Sequence, residues 1–368
     1  MLSIVMAVGV SLSVLGFVEM FLRRQERAIR QSDQLEPGLL QHDKLLGWAL
    51  VPDARGTHTH HDFSTEYRIG TNGFRFDPAV SGENHSEIEA ILGDSFTFGL
   101  GVKDSETFIS QLNRQSGAQR RFINCAVPGY STDQEILIAQ RDVMKLKPRR
   151  LWLAVCLVND LIDILHPYPM QANRQKPFFQ LSGRELALQN IPVPLEALDP
   201  SSRRLDLLGE IMGPTFRQRN WSASIESRSI IARILADNLL PPPDISTLLA
   251  ERNRRPLELF TALVTSLAER VKLQGVSVGL ICIPGRSRIE NPGSIAAQYQ
   301  KFVEEQLAAL AKDQSLPLIP LTDALLEPSL RADGSLYFPH DGHFTPKGHA
   351  VVARTLASRM PALLPGQR

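Results

Sequence analysis

Four short segments of this chain carry residues that could together perform acyl transfer. Ser95 stands in Gly93-Asp94-Ser95, a glycine-flanked turn, and Asp341 and His343 stand in Asp341-Gly342-His343. A serine hydroxyl is a weak nucleophile until a neighbouring base takes its proton. An imidazole can be that base when an acceptor holds it in the right tautomer. Asp341 and His343 are two positions apart, so one loop can present both to Ser95. The oxyanion that forms on attack needs hydrogen-bond donors. The main-chain N–H groups of Ser95 and Gly129 and the side-chain amide of Asn159 could supply three. Glycine at 129 also lets a substrate approach the backbone closely. A lone Gly-Asp-Ser is more often a polar turn than a nucleophile. Four such segments in order, each after a strand or before a helix, reverse that balance.

Those segments sit on an alternation of strand-like and helix-like stretches. Ile88 to Leu92 is a short apolar run that ends at Gly93-Asp94-Ser95. Phe122 to Val127 precedes Pro128-Gly129, and Leu151 to Val158 (LWLAVCLV) precedes Asn159-Asp160. Val276 to Ile283 and Leu316 to Leu321 are two further runs. Continuous apolar runs of this length fit strands buried on both faces. Ser105–Asn113, Thr132–Leu146, the stretch after Pro256, Tyr299–Leu310 and Ala350–Met360 read as the intervening helices. Strands alternating with helices predict a parallel sheet wrapped on both sides, and ligand sites in such sheets form at the carboxyl ends of the strands. Residues 163–255 interrupt the alternation with many prolines, a hairpin over Phe178–Leu181 and Leu186–Leu188, and a helical stretch near Ile225–Leu240. They read as an insertion, a lid or substrate platform.

The segments resemble the blocks of the SGNH/GDSL hydrolase family. ILGDSFTFG is similar to its first block, Gly129 in VPGYS to the second-block glycine, Asn159 in VND to the third-block asparagine, and DGHFTPKGH to the last block. The resemblance covers roughly residues 85–162 and 256–360. It implies a three-layer α/β/α fold with a flavodoxin-like parallel sheet. It also implies Ser95 as nucleophile, Gly129 and Asn159 completing the oxyanion hole with Ser95, His343 as base, and no metal or organic cofactor. The lead-in, with LGWALVPDARG and NGFRF, resembles that of envelope-associated bacterial members. The common esterase form places aspartate three residues before the histidine, whereas Asp341 is two before His343. That spacing resembles the branch containing polysaccharide O-acetyltransferases. The expected activity is therefore that of a serine esterase or O-acyltransferase acting on O-acyl groups of an envelope polysaccharide or glycolipid. A non-catalytic, membrane-anchored glycan-binding scaffold is the alternative, and the intact Ser95, Asp341 and His343 argue against it.

Other residues have plainer readings. Asp160 caps or braces its loop. His340 reads as a solvated loop histidine, and His349 as facing the surface of the closing helix. In Thr57-His58-Thr59-His60-His61, His58 and His60 share one face of a strand. No carboxylate or cysteine completes a zinc site at a recognisable spacing, so the run reads as an exposed edge strand. Gly99-Leu100-Gly101 lacks the later glycine of a dinucleotide fingerprint. Cys125, Cys156 and Cys282 form no metal-ligand or CxxC pattern and read as buried thiols.

The chain of 368 residues, 43% hydrophobic and 21% charged, has a globular composition. Its net charge of +1 offers no field for nucleic acid. Leu2 to Leu22 is apolar except for serines and Glu19, about the length that spans a bilayer. No cleavage site is visible, so the sequence predicts an uncleaved anchor over residues 1–24. Residues 25–84 follow as a linker and β-rich lead-in, and residues 85–162 and 256–362 form the hydrolase domain. Arg23, Arg24, Arg27 and Arg30 would place the body in the cytoplasm by the positive-inside rule. The family resemblance favours the opposite side, a single-pass inner-membrane protein with a periplasmic catalytic domain.

Overall fold

The apolar runs form the parallel sheet that their length and composition predict. The computed structural model describes residues 2–80, 87–116, 120–170, 174–196, 229–232, 235, 244–327 and 334–360. Helix α1 (Leu2–Ser32) comes first, followed by five short strands, β1 (Gln34–Leu35), β2 (Leu40–Asp43), β3 (Gly47–Leu50), β4 (Arg55–His60) and β5 (Phe63–Arg68). The main body then runs β6 (Glu87–Gly93), α2 (Ser95–Phe98), α3 (Phe108–Ser116), β7 (Arg120–Asn124), α4 (Thr132–Arg141), β8 (Arg150–Cys156) and α5 (Asp160–Asp163). The hairpin β9 (Phe178–Ser182) and β10 (Glu185–Gln189) follows, then α6 (Ser246–Arg252), α7 (Arg254–Lys272), β11 (Ser277–Ile283), α8 (Arg286–Glu290), α9 (Ile295–Asp313), β12 (Leu318–Pro320), α10 (Thr322–Leu326) and α11 (Pro346–Arg359).

The five-stranded sheet has the order β12-β11-β8-β6-β7, and every pairing is parallel. Renumbered by the sheet's own strands this is 2-1-3-4-5, the flavodoxin-like order, whose switch point lies beside the first strand. That first strand is β6: Ile91 pairs with Asn124 of β7 on one side and with Trp152 of β8 on the other.

Side chains alternate across each strand, and this period of two divides the interior into two cores. Leu92, Leu151, Leu153, Val155, Leu280 and Cys282 pack with α4, α7 and α9 on one face. Ile91, Trp152, Ala154, Cys156, Ile281 and Ile283 pack with α3, α10 and α11 on the other. The strands are largely apolar because both faces are covered, and β8 is buried along its whole length. The three cysteines are free and buried.

Several expectations need correction. The apolar N-terminal stretch is helical, and α1 continues through the arginines to Ser32. Among the described residues, however, no helix is long and apolar enough to cross a membrane. The structure thus gives α1 as a helix with exposed apolar side chains and does not carry the expected span. The histidine run is not an edge: β4 is the centre of the sheet β1-β4-β5. His58 is buried there, its ring nitrogens meeting Tyr67 Oη at 3.1 Å and an Asp33 carboxylate oxygen at 2.6 Å. His349 is buried too, accepting the Phe108 N–H at Nδ1 and stacking on the Phe108 ring. Burial drives its pKa down to about 3, so it stays neutral and serves the core. Among the described residues, the β9–β10 hairpin pairs only with itself. Of the helical stretch expected near Ile225–Leu240, Ile230–Ala232 and Leu235 are helical and the rest lies outside the described residues.

Candidate active site

Ser95 opens α2 directly after β6. Asp94 caps this one-turn helix, its Oδ1 accepting the Phe96 N–H at 2.9 Å. The first N–H groups of a helix have no intrahelical acceptor, so the Ser95 N–H is available to an incoming oxyanion. Helix α2 ends at Gly99 in the left-handed region, which turns the chain back under the serine.

Ser95 and His343 lie 248 positions apart in the chain, and the fold brings Ser95 Oγ to 2.6 Å from His343 Nε2. On the other side of the ring, His343 Nδ1 lies 2.6 Å from Asp341 Oδ1. The same carboxylate oxygen accepts the His343 main-chain N–H at 3.1 Å. This double contact across two residues depends on Gly342, whose φ of +88° lies where L side chains are strained. The two-residue spacing therefore closes as a tight turn. An ionised Asp341 keeps the proton on Nδ1 and leaves Nε2 free to accept from Ser95.

Electrostatics support that tautomer. Burial opposes a charge on His343, but the Asp341 carboxylate outweighs it, with help from Asp94 and Asp33, and the His343 pKa is raised. The Asp341 pKa is lowered: burial acts to raise it, and the adjacent imidazole and its hydrogen bonds prevail. The Phe96 ring packs against the imidazole with centroids 4.6 Å apart and limits the orientations that ring can adopt.

Gly129 and Asn159 follow β7 and β8, the two strands that flank β6. Gly129 has φ +80° in the turn after β7. Asn159 is buried, and its Nδ2 donates to Asp163 Oδ2 at 2.7 Å. One amide hydrogen is thus spent on holding the side chain and the second remains for a ligand. Asp163 lies one turn further on, and its other oxygen accepts the Met170 N–H at 2.8 Å. Burial raises the Asp163 pKa to about 6. Asp160 braces the loop, as expected, by accepting the Cys156 N–H at 2.8 Å.

Sequence reasoning missed the residues that fix these loops, and three of them come from the lead-in. Trp48 donates from Nε1 to the Pro128 carbonyl at 3.0 Å, next to Gly129. Arg75, buried, donates to the carbonyls of Phe98, Gly99 and Val102 at 2.8–3.0 Å and pairs with Asp104. It thereby fastens the end of α2. Removing one partner of such a buried pair costs about 3–5 kcal/mol. Asp62 Oδ2 accepts the N–H groups of His340 and Asp341 at 2.7 and 2.8 Å. Trp48 and Arg75 belong to the two lead-in motifs visible in the sequence. Nothing near Asp62 in the chain signals its distant partner loop. Asp163 had one available signal, its spacing of four from Asn159, which places both on one helical face.

Beneath the site lies a buried acidic group. Among the described residues, Glu135 on α4 has no hydrogen-bond partner for either carboxylate oxygen, and Asp160 has none for Oδ1. Burial, together with the nearby Asp94 and Asp133, holds the Glu135 pKa well above the ordinary carboxylate value. Burial and the charges of Glu135 and Asp94 do the same for Asp160. A groove lies elsewhere, between the β9–β10 hairpin and α7, lined by Phe179, Leu186 and Leu257. The described part of the insertion packs there.

The sequence model of the GDSL-like lipase/acylhydrolase family matches residues 91–351, which contain all five of these site residues. No curated protein matches the chain. Among solved structures, an α/β-hydrolase enzyme from the metagenome of Lake Arreo, Spain, is 13% identical with a TM-score of 0.42, covering 77% of this chain and 98% of that one. An acetyl xylan esterase is 12% identical with a TM-score of 0.40, covering 73% and 98%. A catalytic mutant of an acetylxylan esterase from Geobacillus stearothermophilus is 11% identical with a TM-score of 0.41, covering 76% and 95%.

Proposed function

Because the chain belongs to the GDSL-like lipase/acylhydrolase family and is an ester hydrolase of SGNH type, we propose that it works through an acyl-enzyme on Ser95, with His343 as base and Asp341 as its orienting partner. The observation that carries this reading is the unbroken line Ser95 Oγ, His343 Nε2, His343 Nδ1, Asp341 Oδ1, with 2.6 Å at both contacts. Ser95 Oγ attacks the ester carbonyl as its proton passes to Nε2. Negative charge develops on the carbonyl oxygen, where the N–H groups of Ser95 and Gly129 and the Asn159 amide stabilise it. The imidazolium, steadied by Asp341, returns the proton to the departing alkoxide. A second acceptor then attacks the acyl-serine with His343 again as base.

That acceptor is water in an esterase and a sugar hydroxyl in an O-acyltransferase. The two-residue Asp341–His343 spacing and the lead-in motifs favour an O-acyl ester on an envelope polysaccharide or glycolipid as substrate. Placement at the membrane rests on α1, whose Met6, Val10 and Phe17 are more than half exposed, and the periplasmic side rests on the resemblance to envelope-associated members. Removing residues 1–24 should release the protein from the membrane fraction, and periplasm-dependent reporters fused after residue 30 should be active. Reporter activity confined to the cytoplasm would overturn the placement.

A fluorophosphonate probe tests the central reading. It should label wild-type protein on the Ser95 peptide, and Ser95→Ala should lose both labelling and nearly all aryl-acetate turnover. Wild-type turnover in Ser95→Ala would refute the assignment.

A further inference from the structure

The turn between β4 and β5 touches the loop that carries Asp341 and His343, and three metal-binding side chains meet there. The rings of His61 and His340 stand edge to face with centroids 4.8 Å apart. One ligating atom from each of His61, Asp62 and His340 lies within 4.8 Å of the others. Both imidazoles are exposed, while the Asp62 side chain is only 3% exposed. His60 is engaged otherwise: its Nδ1 accepts the Asp62 N–H at 3.2 Å, with Asp62 Oδ2 at 3.9 Å, and its ring stacks on Phe63. The sequence offered the histidine run without a third ligand from elsewhere in the chain. Folding brings one in from a position 279 residues beyond His61.

We propose that His61, Asp62 and His340 bind a divalent transition-metal ion of the zinc class, which clamps the lead-in turn to the catalytic loop. Two imidazoles and one carboxylate suit zinc, whereas calcium and magnesium prefer all-oxygen sets. Tetrahedral ligands about 2.1 Å from zinc stand about 3.4 Å apart. The donors therefore need to close by at most about 1.4 Å, within reach of rotation of two exposed imidazoles toward a seated carboxylate. Asp62 has the outer hydrogen bonds typical of a ligating carboxylate: one oxygen accepts the His340 and Asp341 N–H groups, and the other is available to the ion. Three protein ligands leave a fourth position for water. His340 directly precedes Asp341, so the ion would restrain the backbone that presents the acid and base without joining the reaction itself.

Titration of zinc ion into chelator-treated full-length protein, followed by calorimetry, tests this. One equivalent should bind saturably, cobalt(II) should give the absorption of a tetrahedral site, and zinc should raise the melting temperature. His61→Ala, His340→Ala and Asp62→Asn should each weaken binding by at least about 10-fold. His61 is exposed, so His61→Ala should keep the wild-type melting temperature without metal. Asp62→Asn keeps an amide oxygen for the two N–H groups and so preserves the loop while removing the anionic ligand. Binding is read without turnover, and Ser95→Ala should bind zinc like wild type, so failure of the catalytic assignment would not mimic failure here. Absence of a saturable equivalent, or unchanged affinity in the His61→Ala/His340→Ala double variant, would overturn the proposal.

Discussion

Replacing Asp341 with Asn separates the charge of the proposed orienting acid from its shape. The side chain keeps its size, and its amide oxygen can still accept the His343 main-chain N–H that Asp341 accepts at 3.1 Å. In the position of Oδ1 that same oxygen also accepts from Nδ1, so the tautomer is kept and only the charge is lost. The loss of charge removes the attraction to the imidazolium that forms during attack. With charge centres about 4 Å apart and an effective dielectric near 20, that attraction is worth about 4 kcal/mol. At about 1.4 kcal/mol per decade this is about a thousand-fold in kcat, with KM for a small ester little changed. The pH profile supplies a second readout. Wild-type kcat/KM should fall as pH drops through the raised pKa of His343, because the base must be neutral. Asp341 is the main group raising that pKa, so the acid limb in Asp341→Asn should move to lower pH. Stopped-assay or continuous hydrolysis of an aryl acetate across the limb measures both. A variant within about tenfold of wild type, on a scale where each decade is about 1.4 kcal/mol, with an unmoved limb, would refute the role of Asp341.

Three further outcomes follow at the site and beneath it. Asn159→Ala should lower kcat by about 100-fold or more, the usual cost of one oxyanion donor. Asp163→Ala should reproduce part of that loss because it frees the Asn159 amide; Asp163→Ala with wild-type kcat would show that Asn159 needs no such support. Glu135→Gln should stabilise the protein increasingly at higher pH. The folded pKa of Glu135 lies above its unfolded value, so in wild type its contribution is intact below the unfolded pKa and declines as pH rises toward the folded one. Glutamine stays neutral in both states, and thermal melts should show a gain that grows from mildly acidic to alkaline pH. A gain independent of pH would refute the assignment of a suppressed charge there.

The sequence alone determined the main strands, because a strand covered on both faces is largely apolar, and β6, β8 and β11 lie within a residue or two of the runs that announce them. It also determined which residue types could react, since nucleophile, base and acid are limited by their chemistry and Asp341-Gly342-His343 is a local unit. Tertiary structure decided what those groups face. A polar residue looks the same in a sequence whether water or a buried partner satisfies it. His58 and His349 therefore read as surface residues, yet both lie in cores with partners at 2.6–3.1 Å. Asp62 carries no local sign that it will cap the His340–Asp341 backbone, and Asp163 gives only a spacing. The N-terminal run shows a similar limit: its hydropathy announced a helix, while the surroundings of that helix depend on more than its own residues. The 2.6 Å contact between Ser95 and His343 depends on strand order, on the crossovers that set β6 beside β8, and on Trp48, Arg75 and Asp62 holding three loops from outside. Contacts between residues so far apart in the chain exist only once the sheet has assembled, because no local energy along the chain distinguishes them from any other pair.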